Sequence, residues 1–155
     1  MSSDRKVILT SGLGGFATND PNAQAIGMTA EKAKESLQIS IDKANAAGFD
    51  LVRCDANPQD PDDTMKRFTE ILQSRQFAGV NIGYGLRGHK GKLRKVTGDS
   101  GCGLIDGLTE HTALFEKMLN TAWELQPGIK IMFSNGPADV ISGIQRNFPD
   151  HFKHT

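Results

Sequence analysis
The sequence predicts an α/β domain built on a four-stranded parallel sheet with helices on both faces. Two observations carry that prediction. Short apolar runs alternate four times with segments of helical period, the pattern of strands joined by crossover helices. The runs are apolar almost throughout rather than at every second residue, as strands covered on both faces are. With 155 residues and no internal repeat or linker, the chain is expected to be one domain (1–155). That length buries roughly two-thirds of the unfolded surface without metal or disulfide staples.

Lys6 to Thr10 is the first strand, closed by the glycine-rich Ser11 to Gly15. Asn19, Asp20, Pro21, Asn22 and Gly27 favour turns, so the connection to the first helix is expected to be long. Thr29 is a good N-cap for a helix over Ala30 to Ala47, with Ala33, Leu37, Ile41 and Ala44 on one face and Gly48 as the stop. Phe49 to Cys54 is the second strand. Asp60-Pro-Asp-Asp then supplies a cap, a first-position proline and early acid for a helix to about Ser74, whose stripe is Met65, Phe68, Ile71 and Leu72. Phe77 to Ile82 is the third strand. From Gly83 to Thr109 runs a long open loop that holds eight of the chain's 17 glycines. Thr109 can cap a third helix with Leu114, Phe115, Met118, Ala122 and Leu125 inward, ended by Gln126-Pro-Gly128. Ile129 to Phe133 is the fourth strand, Ser134 to Pro137 a turn, and the fourth helix runs to about Asn147 on Val140, Ile141 and Ile144. The tail PDHFKHT is expected to fray.

Lys plus Arg and Asp plus Glu each count 18, so no global field draws the protein to nucleic acid or an acidic membrane. The basic run His89, Lys90, Lys92, Arg94 and Lys95 could clamp an anion, but it lacks interleaved aromatics to stack bases and reads most simply as a solvated loop. No apolar run reaches the ~20 residues that span a bilayer, and MSSDRK leads directly into a strand, so no membrane partner and a cytoplasmic location are expected. Cys54 and Cys102 are expected to be reduced there. These cysteines, His89 and His111 show no paired ligand spacing, and no metal is expected.

Right-handed crossovers favour the flavodoxin-like strand order 2-1-3-4. Such sheets bind ligands beyond the carboxyl ends of the strands where the order reverses, here between strands 1 and 3. The two unusually long connections leave those same strands. Gly12, Gly14, Gly15, Gly83, Gly85 and Arg87 are therefore the candidate ligand-binding residues, joined by Asn135 just past strand 4. The glycines could equally serve only to make tight turns. Arg87, flanked by glycines, suits a carboxylate or phosphate, or else an ion pair with a loop acid or Glu110. Residues 88–108 form a glycine-rich, basic insertion placed to act as a lid. Glu110 and His111 are the acid/base candidates should the domain be an enzyme; the alternative is that Glu110 complements a helix dipole and His111 is merely exposed.

Gly83 to Gly88 matches G-x-G-x-x-G after a strand, but no helix is expected to open on its third glycine, so it fails as a dinucleotide fingerprint. The first loop lacks a dense Ser/Thr run for an FMN phosphate, and no cofactor is expected. No G-x-S-x-G elbow supports a Ser-His-Asp triad.

GYGLR at 83–87, LFEKMLN at 114–120 and FSNGPAD at 133–139, with GMTAEKAKESL at 27–37, resemble a set of uncharacterised small single-domain α/β proteins of bacteria and fungi. That resemblance implies a flavodoxin-like sheet with Arg87, Glu116, Asn120 and Asn135 as pattern positions, and implies no activity. The insertion between Arg87 and Leu114 is longer than the bacterial pattern. The functional expectation is a domain, or an enzyme, that binds a small anionic molecule at the carboxyl ends of strands 1 and 3. Its competitor is a non-catalytic module that forms a homo-oligomer, such as a homodimer, by covering the apolar edge strand Ile129 to Phe133 or the last two helices.

Overall fold
The computed structural model describes residues 4–87 and 106–153. β1 (Lys6–Gly12), β2 (Phe49–Asp55), β3 (Gly79–Gly83) and β4 (Lys130–Ser134) form one all-parallel sheet in the order β2-β1-β3-β4. The strand order expected from the sequence is thus the observed one. The helices are α1 (Pro21–Ala25), α2 (Ala30–Ala46), α3 (Pro61–Ser74), α4 (Tyr84–Arg87), α5 (Asp106–Leu125) and α6 (Val140–Asn147).

The core has two halves, one on each face. Leu9, Phe68, Val80, Ile82 and Met118 pack with α3 and α5, whereas Ile8, Leu37, Phe49, Met132 and Ile144 pack with α2 and α6. Adjacent β1 residues Ile8 and Leu9 point to opposite halves and both are fully buried, which is why the strand reads as continuously apolar. The caps act as their residue types dictate: Thr29 Oγ1 accepts from Lys32 N at 3.2 Å and Asp60 Oδ1 from Asp63 N at 3.1 Å.

The structure departs from the sequence expectation in three places. The connection after β1 is ordered, with a 3-10 helix at Gly14–Asn19 followed by α1. Asp20 and Pro21, read as turn residues, are the cap and first residue of α1. The glycine-rich loop is also shorter than expected. One turn of helix, α4, follows β3 directly because Leu86 drops fully buried into the α3/α5 half of the core, and α5 begins at Asp106, ahead of Thr109. Finally, residues 149–152 form a 3-10 helix rather than a frayed end. Phe152 stacks on buried Phe49 at 5.9 Å between ring centroids, and Phe148 lies 5.3 Å away, so apolar burial holds the tail down.

Cys54, the penultimate residue of β2, faces α3 and is a free thiol. Burial pushes its pKa up to about 11, against the opposing pull of the Arg67 guanidinium. At neutral pH the thiol is therefore protonated. In a Cys102→Ser background, alkylation of the folded protein at pH 7.5 is expected to run on the order of 100-fold more slowly than after unfolding. Equal rates would contradict a buried Cys54.

Candidate functional site
Parallel register sets the residues of the α2/α6 face in rows across the sheet. One row carries Arg53, Thr10 and Asn81; the next, nearer the carboxyl ends, carries Asp55, Gly12, Gly83 and Ser134. The second row thus lacks side chains at its centre. A Cβ added to Gly12 meets nothing within 4 Å, and one added to Gly83 would lie 3.5 Å from Gly12 Cα. The space left open is a cavity of about 130 Å³. It lies at the reversal of strand order.

Beneath this gap the sheet is polar where its neighbours are apolar. Asn81, 1% exposed, donates from Nδ2 to Thr10 Oγ1 at 3.2 Å and to Ser134 Oγ at 3.1 Å. Its Oδ1 is buried without a partner. An orphaned buried acceptor costs about 1–3 kcal/mol, so this triad is not what a sheet optimised for stability alone would carry.

One wall is the segment after β1, which contributes Leu13, Ala17, Ala23 and Ile26. Asp20 holds it. Its Oδ1 accepts from Asn22 N at 3.0 Å and Ala23 N at 2.9 Å, while Oδ2 lies 3.0 Å from His111 Nε2. Both side chains are under 5% exposed, so the pair clamps the wall to the start of α5 from inside. Thr18 adds a second tie, its Oγ1 accepting from Ala30 N at 2.8 Å.

The opposite wall is the turn from β4 to α6, with Asn135, Gly136, Pro137 and Val140. Ser40 of α2 donates to Pro137 O at 2.9 Å and accepts from Ile141 N at 3.3 Å. Asp139 accepts from Asn135 N at 3.0 Å. That bond, aided by Ser142, holds the Asp139 carboxyl below its ordinary value despite burial acting the other way. A depressed folded pKa stabilises above the unfolded value of 3.8 and ceases to do so as pH falls through the folded one. Wild type is therefore expected to exceed Asp139→Asn in urea midpoint at pH 7 and to lose that advantage on acidification below 3.8. An advantage that persists in acid would contradict the assignment.

At the rim, Asp55 accepts from Gly15 N at 3.0 Å and pairs with Arg53 Nη2 at 3.1 Å to each carboxylate oxygen. Gly14 has φ +50°, and any Cβ there would collide with the Asp55 carboxylate. A Cβ on Gly85 would come within 2.8 Å of Leu13 Cδ1, so a larger residue there would push the Leu13 side chain aside.

The residues singled out from sequence separate accordingly. Gly12, Gly14, Gly83, Gly85 and Asn135 line one cavity, and Gly15 braces it through Asp55. His111, expected either to catalyse or to be exposed, is buried on Asp20 and is not among the residues lining the cavity. Arg87 ends α4 and Glu110 lies in α5, with both side chains outside the described residues, as is the segment 88–105 that carries the basic run and Cys102. Thr10, Asp20, Arg53, Asn81 and Ser134 were not singled out. Asn81 had a signal, a carboxamide inside the apolar run Val80 to Ile82, and so did Asp20, which repeats the Asp-Pro pattern of Asp60-Pro61.

Among the described residues, no group of three His, Cys, Asp or Glu could hold a metal ion, and no helix is long and apolar enough to cross a membrane. No protein-family model matches the chain, and comparison with curated proteins and with solved structures returns no match.

Proposed function
We propose that this protein is a small-molecule-binding α/β domain whose ligand occupies the cavity over Gly12 and Gly83, at the carboxyl ends of β1 and β3. The observation that carries this is the paired glycine gap in adjacent central strands. Interiors pack to crystal density, so a gap floored by a half-satisfied polar triad is a cost that binding would explain. A thermal-shift screen of small molecules tests it. A ligand at about 100 times its Kd should stabilise the fold by roughly 2.7 kcal/mol. A broad screen in which nothing stabilises the wild type would overturn the reading.

A second reading, a homo-oligomeric module, is favoured by Trp123 of α5 and Phe133 of the edge strand β4, which are 58% and 38% exposed. Phe133 is ringed on one side by Phe115 at 5.9 Å. Arg146 donates to Phe133 O at 2.9 Å, which occupies one acceptor of that edge and favours docking by side-chain faces over strand pairing. Sedimentation at micromolar concentration decides: a dimer that Trp123→Glu dissociates supports it, and a monomeric wild type rejects it.

A further inference from the structure
We propose that the ligand is a compact neutral alcohol, its hydroxyl set between Asn81 and Thr10 on the cavity floor and its apolar body filling the slot over Gly12 and Gly83. This rests on the ligand-binding reading above and names the chemistry of the same cavity.

The floor specifies the head of the ligand. Asn81, Thr10 and Ser134 all line the cavity. Both Nδ2 protons of Asn81 are engaged, one on Thr10 Oγ1 and one on Ser134 Oγ, so what its carboxamide has left is the unpartnered Oδ1 acceptor. The Thr10 hydroxyl accepts from Asn81 and so keeps its own proton to give. Neighbouring side chains thus leave open one acceptor and one donor, and a head complements them only by donating and accepting at once. A carboxylate, ketone or ether only accepts, and an ammonium only donates. A hydroxyl does both through a single oxygen. That suits a floor on which Asn81 is 1% and Thr10 6% exposed, where a carboxamide would have to bring two heavy atoms abreast.

Charge points the same way. Arg53 and Asp55 are the charged residues of the described lining, and they pair with each other. The lining therefore presents no net charge, and an ion that left water for it would go uncompensated. Size and walls set the body. A cavity of about 130 Å³ is close to the ~150 Å³ apolar cavity that accepts benzene, and far short of what a nucleotide or flavin fills. A body of about four to seven carbons is the match. Leu13, Met28, Leu37 and Val140 offer no hydrogen bonds from their side chains, so the part of the ligand they enclose is apolar. Ile26 lines the cavity too and is 60% exposed, so it stands where the cavity opens, an apolar side chain for the body to cover.

The test is calorimetric titration of the whole chain with cyclohexanol and 3-methylbutan-2-ol, beside the ketones of the same skeletons, cyclohexanone and 3-methylbutan-2-one, and beside cyclohexylammonium. At least one alcohol is expected to bind the wild type about tenfold or more tightly than its ketone, which leaves Asn81 Oδ1 unpaired, and the ammonium ion not at all. Asn81→Leu should bring alcohol and ketone affinities together; should that variant not fold, Thr10→Val is expected to weaken the alcohol through loss of the hydroxyl that donates to it. Equal binding of an alcohol and its ketone to wild type overturns the alcohol assignment but leaves the cavity reading standing. A preferred ketone overturns it in favour of a head that only accepts, and a preferred ammonium ion in favour of a cation. Alcohol binding that Gly12→Val leaves intact overturns both readings. If none of the probes binds, the ligand class is wrong, and the broader screen above then decides whether the cavity binds anything.

Discussion
Asp20→Ala is expected to lower unfolding free energy by about 3 kcal/mol, combining about 1 kcal/mol for a lost N-cap with about 2 for a charge-assisted buried hydrogen bond. Asp20 satisfies two amides at the start of α1 and meets His111 Nε2, all in a site closed to water. For a chain of this size that corresponds to a fall in Tm of roughly 6–12 °C. Asp20→Asn keeps an acceptor for the α1 amides and should cost clearly less. Thermal and urea unfolding of both variants measure the difference. If Asp20→Ala costs no more than an exposed cap, about 1 kcal/mol, the clamp to His111 contributes nothing and the cavity wall is held by other means.

Gly12→Val is expected to do the reverse, sparing the fold and abolishing ligand binding. A Cβ at residue 12 meets nothing within 4 Å, the position ends a β-strand, and no positive φ is recorded there. A β-branched residue suits such a backbone and places its methyl groups into the cavity. The variant should therefore retain wild-type stability or gain a little from filled space, while the roughly 2.7 kcal/mol of ligand stabilisation expected at 100 Kd disappears. Gly14→Val is the contrasting control. At that position φ is +50° and the Asp55 carboxylate occupies the Cβ site, so the fold itself should suffer. Loss of stability in Gly12→Val would mean that the gap is not open space.

The scaffold was legible because its signals are local or periodic: apolar runs, the Thr29 and Asp60 caps, and Gly48 and Gly128 at positive φ after their helices. Crossover handedness left few strand orders, and the flavodoxin-like one favoured among them is the one observed, with the glycines at its carboxyl ends. What was not legible depends on contacts distant in sequence. Nothing near His111 indicates that it meets Asp20, 91 residues earlier, and so the alternative in which the imidazole is merely exposed gives way to a buried one. Likewise Thr10, Asn81 and Ser134 become one hydrogen-bonded row only once three strands are placed side by side. The tail was misread for the same reason, since Phe152 gains its burial from Phe49 across the chain. Polar residues inside apolar strands are the clue worth weighing: they cost stability, and here they converge under a gap.

The most direct measurement is a set of ¹H–¹⁵N spectra recorded while a stabilising ligand from the screen is titrated in. The account predicts that the largest shifts cluster at the amides of Gly12, Leu13, Gly83, Asn135 and Gly136, with the Asn81 side-chain amide moving alongside them. Shifts concentrated instead on the outer side of β4 and α5, with these amides unmoved, would contradict it.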